Sequence, residues 1–472
     1  MKSSAKLNSN LYIVAVIAAI TGLLFGFDTG IISGALLFIE KEFVISTELK
    51  ELIVSVVLLG AMFGSLLSGR LTDHFGRRRL MLIISGLFVI GTLVASFAAN
   101  ISGILLGRLL IGLAIGVGSY AAPLYIAEIA SSEFRGGLVS LFQLAITIGI
   151  LISFIINYTF INIDGSWRWM FGLGLVPAVM LSVGMIFLPE SPRWLLMKNK
   201  RDEAIKILRN LRNTQDISNE LNEINNTLQI KQMNFRDIFS PGIFPVLLLG
   251  AALGLIQQVT GINTIIYYSP KIFQLAGFTD TSSAIFATMG IGLVNVLSTI
   301  FAVFFIDKLG RRPLLIAGLI GMGISLLGLS WAFSSATSAA NLRWIAVACT
   351  FFYIICFAFS LGAILWIMVA EIFPLSIRAT AMGIAVFSCW FWNFVVSSSF
   401  LTILNAMGPS STFLIYASMC IFSLIYCYYK VPETKGVSLE KIEDNIRNNL
   451  PLRLIGQPQV ETPKTPILET IG

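Results

Sequence analysis

The sequence predicts an all-α membrane protein: twelve transmembrane helices in two pseudo-symmetric six-helix halves, joined by a cytoplasmic helical linker. Three observations carry that expectation. Of 472 residues, 56% are hydrophobic and only 12% charged, against about 25% charged in a soluble domain. Apolar stretches able to cross a hydrocarbon core roughly 30 Å thick recur along the chain. They are twelve in number, centred near Ile20, Leu59, Val89, Ile115, Ile150, Val179, Leu255, Val294, Met322, Ile355, Val395 and Ile421. Finally, three polar cassettes occur twice in the same order. Asp73-His74-Phe75-Gly76-Arg77-Arg78 returns as Asp307-Lys308-Leu309-Gly310-Arg311-Arg312, 234 positions later. Glu128 with Arg135 returns as Glu371 with Arg378, and Pro189-Glu190-Ser191 as Pro432-Glu433-Thr434, each 243 positions on. Such a period means two copies of one unit of roughly 240 residues.

The elements follow in order. Residues 1–190 form the first six-helix bundle, 191–240 the linker, 241–430 the second bundle and 431–472 a cytoplasmic tail. The first apolar segment follows Lys2 and Lys6, as a signal peptide would. It runs from Leu11 past Phe27 into Ile31–Phe38 with no convincing cleavage site, so it reads as an uncleaved first span. In the linker, Arg201–Leu211 and Ile217–Leu228 place apolar residues at helical spacing among charges, which predicts short amphipathic helices. Asn225-Asn226-Thr227 matches a glycosylation sequon but faces the cytoplasm and carries no function there. Val437, Leu439, Ile442 and Ile446 predict a last surface helix, and Pro451, Pro458, Pro463 and Pro466 a flexible end.

The net charge of +7 reports topology. With both termini in the cytoplasm, 26 Lys and Arg fall on the inward side and 5 on the outward side, the positive-inside asymmetry of a plasma (inner) membrane protein. A nucleic-acid partner is not expected. The five cysteines (Cys349, Cys356, Cys389, Cys420, Cys427) lie inside predicted spans and read as small apolar packing residues. His74 is the one histidine, which excludes His-rich metal sites, and no metal or cofactor is expected. There is no G-x-x-x-x-G-K-[ST] loop for ATP and no nucleophile–base pair, so the chain does not read as an enzyme. A doubled bundle of spans without an ATP site is the architecture of a gradient-driven secondary transporter.

The repeated cassettes fall in equivalent loops of the two halves. Their acids and bases (Asp73, Arg77, Glu128, Arg135, Glu190 and Arg193; then Asp307, Arg311, Glu371, Arg378 and Glu433) read as ion pairs between the halves that hold a cytoplasmic gate shut while the outward-facing state is populated. The alternative is a solvated basic loop that only sets topology.

These cassettes carry a resemblance across essentially the whole chain. Gly69–Arg79, Pro123–Gly136, Pro189-Glu190-Ser191-Pro192-Arg193-Trp194, Gln257-Gln258-Val259-Thr260-Gly261-Ile262-Asn263 with Tyr267-Tyr268, and Pro432-Glu433-Thr434-Lys435-Gly436 resemble the sugar porters of the major facilitator superfamily. The likeness is nearest to bacterial galactose–proton and arabinose–proton symporters. It implies that Asp28, inside the first span, is the protonation site and Arg108, in the fourth, its partner. A lone carboxylate at that depth costs about 3 kcal/mol or more. A nearby guanidinium favours its ionised form and burial its neutral form; a static ion pair is the other reading. The resemblance further implies a sugar site of Phe25, Gln143, Gln257, Gln258, Asn263, Asn295, Trp366, Trp390 and Asn393. Amides donate and accept at once, as vicinal hydroxyls require, and aromatic faces cover the C–H face of a pyranose. Interhelical hydrogen bonding is the alternative use of such amides. Gln257 and Gln258, being adjacent, point about 100° apart on a regular helix, so both would line a cavity only near a wide opening.

Two positions depart from the family. Ile150 stands where some sugar porters carry a second glutamine seven residues after Gln143, which argues against xylose-type selectivity. The tenth span reads Gly362-Ala363 where Gly-Pro is common, and proline is a usual cause of a kink. The expected function is proton-coupled import of a monosaccharide of the galactose, glucose or arabinose class by alternating access. Sugar, proton and lipid bilayer are the expected partners, and the chain is expected to work as a monomer. The rivals are a sugar uniporter with a structural Asp28 and a non-transporting sugar sensor; a tail of about 40 residues is short for a signalling tail.

Overall fold

Among the described residues of the computed structural model, twelve helices are long and apolar enough to cross a membrane. The structure describes residues 9–130, 134–214, 217–229, 240–334, 339–374 and 376–457. Lys2, Lys6, the prolines beyond 457 and the side chains of Arg135 and Asp307 lie outside the described residues. The first six spans are Leu11–Glu42, Thr47–Phe75, Arg77–Ser96, Ile101–Ile129, Gly136–Thr159 and Ser166–Phe187. The second six are Phe244–Leu275, Thr281–Ile306, Arg311–Ser334, Asn341–Ile372, Thr380–Ser397 and Phe400–Lys430.

Each half packs by the same plan. The first span lies on the fifth as the seventh lies on the eleventh, and the third on the sixth as the ninth lies on the twelfth. Between halves, the fifth span meets the eighth and the second meets the eleventh. Lipid tails are as apolar as leucine, so close backbone approach must hold such helices together. The second and fourth spans illustrate this: a Cβ at Gly112 would stand 2.0 Å from the carbonyl oxygen of Val57, and one at Gly116 2.1 Å from that of Ala61. Gly112→Val is therefore expected to force the two helices apart at a cost of about 3 kcal/mol. The measure is the yield of monodisperse protein after detergent extraction, which should collapse relative to the parent.

The linker forms Pro192–Met197, Arg201–Arg212 and Ser218–Gln229, the last two within a residue or two of the predicted amphipathic helices. Leu208 of one packs with Ile217 and Leu221 near the other. The tail helix Leu439–Arg447 buries Ile442 and Ile446, as its spacing predicts. The segment after it is ordered against it: the Asn445 amide donates to the carbonyls of Ile455 (2.8 Å) and Gln457 (3.1 Å).

The repeated cassettes gather at one end of the bundle, here the cassette end. In the first half Arg77 grips Glu128 with both Nε and Nη2, each at 2.8 Å, and the Ser191 hydroxyl donates to the same carboxylate. Glu190 accepts the backbone N–H of Arg77 (2.8 Å) and of Arg78 (3.0 Å), capping the third span. In the second half Arg311 donates to Glu371 (3.1 Å), as does Thr434 (2.6 Å). Glu433 caps the ninth span through the N–H of Arg311 (3.1 Å) and Arg312 (3.0 Å). The intervening glycines have left-handed φ of 88° at Gly76 and 92° at Gly310, and a Cβ there would meet Glu190 or Glu433 at 2.5 or 2.7 Å.

Among the described residues, and with the opposite end of the bundle closed, the cassette ion pairs lie within their own half, Arg77 on Glu128 and Arg311 on Glu371, tying the end of one span to the start of another. Arg378 likewise donates to the Phe373 carbonyl beside it (3.1 Å), and Asp73 pairs with Arg77 at 3.4 Å while largely exposed. Arg193 lies near Tyr120 of its own half. The cassettes therefore stiffen each half as a unit. At the opposite end, the far end, the halves touch: the Asn405 amide donates to Thr47 (3.2 Å), and the rings of Tyr158 and Phe286 stand 5.8 Å apart.

Candidate substrate and proton site

Three interruptions of regular helix build the site. The seventh span is two pieces, Phe244–Val259 and Ile262–Leu275, broken at Gly261 with φ 90°. The tenth carries a π turn, Ala358–Gly362. It sits where proline is missing from Gly362-Ala363, so a widened turn takes the place of a proline kink. The third interruption ends the eleventh span at Ser397, leaving two residues before the twelfth begins at Phe400.

At the first break the amides form a directed chain. Asn263 Nδ2 donates to Gln258 Oε1 (2.7 Å), Gln258 Nε2 to Gln257 Oε1 (3.1 Å), and Gln257 Nε2 to the Leu361 carbonyl in the π turn (2.9 Å). Gln257 and Gln258 are both buried, so the expectation that they need a wide opening is corrected. They do not diverge into open space; they bond to each other and converge on one thiol. Cys389 of the eleventh span stands 3.2 Å from Gln257 Oε1 and 3.1 Å from Gln258 Nε2. The reading of Cys389 as mere apolar packing is thereby corrected too, because its sulfur sits in a polar cluster. The only signal in the sequence is its place beside Trp390.

Trp390 faces Phe25 of the first span across the line between halves, with ring centroids 5.2 Å apart. Its indole N–H is buried and has no hydrogen-bond partner among the described residues. A buried donor left unpaired costs about 1–3 kcal/mol, so it calls for an acceptor from outside the chain. Asn393, one turn further along, accepts from Ser397 (3.0 Å) and lies against the Tyr267 phenol. Asn295 is buried on the eighth span; Gln143 and Trp366 are half-buried on the fifth and tenth. The structure does not join these three to the amide chain by a hydrogen bond or ring contact.

The acid and its partner meet as predicted. Asp28 is 3% exposed and its Oδ1 lies 3.3 Å from Arg108 Nη1. Arg108, wholly buried, is held by more than the acid: Nε donates to the Ile53 carbonyl (2.7 Å), Nη2 to that of Val54 (3.3 Å), and the guanidinium lies 5.7 Å from the Phe171 ring centre. Tyr267 stands between the two sites. Its hydroxyl lies near Thr29, which follows Asp28, and near Asn393. Tyr267 thus links the residue next to Asp28 with Asn393 of the eleventh span. Tyr267 belongs to the motif that carries the resemblance, yet nothing in that motif marks it as the link.

Known proteins resemble this chain over nearly its whole length. The Sugar (and other) transporter family matches residues 14–445. The galactose-proton symporter of Escherichia coli K12 is 40% identical over 451 residues, covering 94% of this chain and 96% of that protein. The glucose transporter GlcP of Staphylococcus epidermidis is 40% identical over 444 residues, covering 93% and 98%. Among solved structures, a partially occluded inward open conformation of the xylose transporter XylE from E. coli superposes with a TM-score of 0.81. It is 29% identical and covers 91% of this chain and all of that one. XylE as a major facilitator superfamily proton:xylose symporter bound to 6-bromo-6-deoxy-D-glucose gives 0.79 at 29% identity, covering 93% and 99%. With its twelve spans in the major facilitator fold, this chain is a multi-pass membrane protein, not an enzyme, and it belongs to the sugar transporter family.

Proposed function

We propose that this protein imports a monosaccharide together with a proton by alternating access, with Asp28 as the proton carrier. The observation that carries the reading is the buried Asp28–Arg108 pair, with Tyr267 between Thr29, which follows the acid, and Asn393, one turn from Trp390 and its unsatisfied indole N–H. Arg108 keeps two carbonyl partners when the acid is neutral, so proton uptake at Asp28 does not strand the guanidinium. Protonation loosens the Asp28–Arg108 contact and favours capture of sugar from outside. The halves then rock as two stiffened bodies, and sugar and proton leave inward. By the distribution of Lys and Arg the cassette end is cytoplasmic, which makes the closed far end of this structure the outer one.

One proton moved down roughly 100 mV releases about 2.3 kcal/mol, enough to concentrate sugar on the order of 50-fold. Adding sugar to energy-depleted cells is expected to alkalinise the medium in step with uptake; sugar entry without alkalinisation would leave a uniporter. In a competition assay, galactose, glucose and arabinose are expected to displace labelled substrate more strongly than xylose. Ile150 offers a xylose no hydroxyl partner at the position where other porters have a glutamine. Xylose as the strongest competitor would overturn that assignment.

A further inference from the structure

One buried carboxylate joins the halves at the far end, and neither the proton site nor the sugar site uses it. Glu51 lies one turn inside the second span and is 3% exposed. Its Oε1 accepts the backbone N–H of Thr402 and its Oε2 the Thr402 hydroxyl, both at 2.7 Å. Thr402 is the third residue of the twelfth span, Phe400–Lys430, in the other half. A helix leaves its first N–H groups without partners inside the helix, and a carboxylate there is stabilised by the helix dipole. Glu51 therefore does across the interface what Glu190 and Glu433 do inside each half. The surroundings are packed: Tyr268 stacks on Phe400 at 4.9 Å and donates to the Ser397 carbonyl (3.1 Å). Thr47 and Asn405 add a weaker, exposed bond one turn further out.

We propose that Glu51 is the latch of the far end, a positioning residue for transport whose bonds to Thr402 exist only while that end is closed. The inference rests on alternating access but not on proton coupling or on which sugar is carried. Rocking the halves apart pulls the twelfth-span terminus off the carboxylate, so both charge-assisted bonds break together. Charge-assisted bonds are the strong ones, and losing one of the two is expected to shift the closed-to-open ratio about tenfold or more. A carrier with a weak latch rests open outside. It captures outside sugar more readily, with a lower KM, and resets more slowly, with a lower maximal rate.

The test uses full-length protein in liposomes with spin labels on Ala99→Cys and Thr279→Cys, exposed far-end positions in opposite halves. Cys349 and Cys356, the two partly exposed native thiols, are changed to serine. Without sugar, Glu51→Gln and Thr402→Val are each expected to move the label distances to longer values. The double variant should go no further than the more affected single one, because both changes break one contact. Unchanged distances in both variants, or shifts that simply add, would overturn the latch. Should Glu51→Gln fail to fold, Thr402→Val alone decides, since it leaves the carboxylate and the N–H in place. A longer distance in a protein that moves sugar without a proton would refute the coupling reading and leave the latch standing.

Discussion

Asp28→Asn is expected to abolish accumulation of sugar while leaving exchange and downhill flux. Asparagine has nearly the shape of aspartate and keeps an oxygen for Arg108 Nη1, but it cannot take up and give back a proton. Removing one partner of a buried pair commonly costs about 3–5 kcal/mol, because the other charge is stranded. Here the Ile53 and Val54 carbonyls still hold the guanidinium, so the variant should fold and reach the membrane. Labelled sugar in vesicles with an imposed proton gradient gives the readout: the ratio should fall from about 50-fold to about 1, with counterflow retained. A variant that still concentrates sugar would remove Asp28 from the coupling role and leave the pair as structure.

Gln258→Leu should produce the second large effect, on affinity instead of coupling. Gln258 is the middle of the amide chain, accepting from Asn263 and donating to Gln257 and Cys389. Leucine fills a similar volume but leaves the Asn263 amide without its acceptor and the Gln257 carbonyl with only the Cys389 thiol. A site built to hydrogen-bond hydroxyls discriminates strongly once its polar groups are unpaired. At about 1–2 kcal/mol for each lost contact, KM should rise roughly 30-fold or more. The proton site is untouched, so accumulation at saturating sugar should survive. Initial rates against sugar concentration, together with the steady-state ratio, separate the two quantities. A fall in the ratio with KM unchanged would place Gln258 in coupling and not in sugar binding.

Whether a residue's role is legible in the sequence depends on what kind of neighbour it has. Glu128, Ser191 and Arg77 announce themselves because the entire arrangement is repeated in Glu371, Thr434 and Arg311. The direction of their bonds is not legible in the same way: repetition suggests a clasp between halves, where the fold with its far end closed has one inside each. Asp28 and Arg108 stand out because charge inside an apolar span demands a partner, and only one cation lies at matching depth. Cys389 carries no such mark: a cysteine among apolar residues looks the same whether it meets lipid or two amides. The π turn is equally silent, since Gly362-Ala363 shows only that proline is absent, not how the helix bends without it.

Sequence alone determined the twelve spans, the doubling, the family and the buried charge pair, because hydropathy, repetition and isolated charge are properties of residues along the chain. Tertiary structure decided which amides bond to each other, which thiol they share, where the tenth span widens and what closes the far end. Those facts depend on contacts such as Glu51 to Thr402, 351 positions apart. Their formation is set by how helices turn toward one another, and neither the order nor the composition of the chain records that angle.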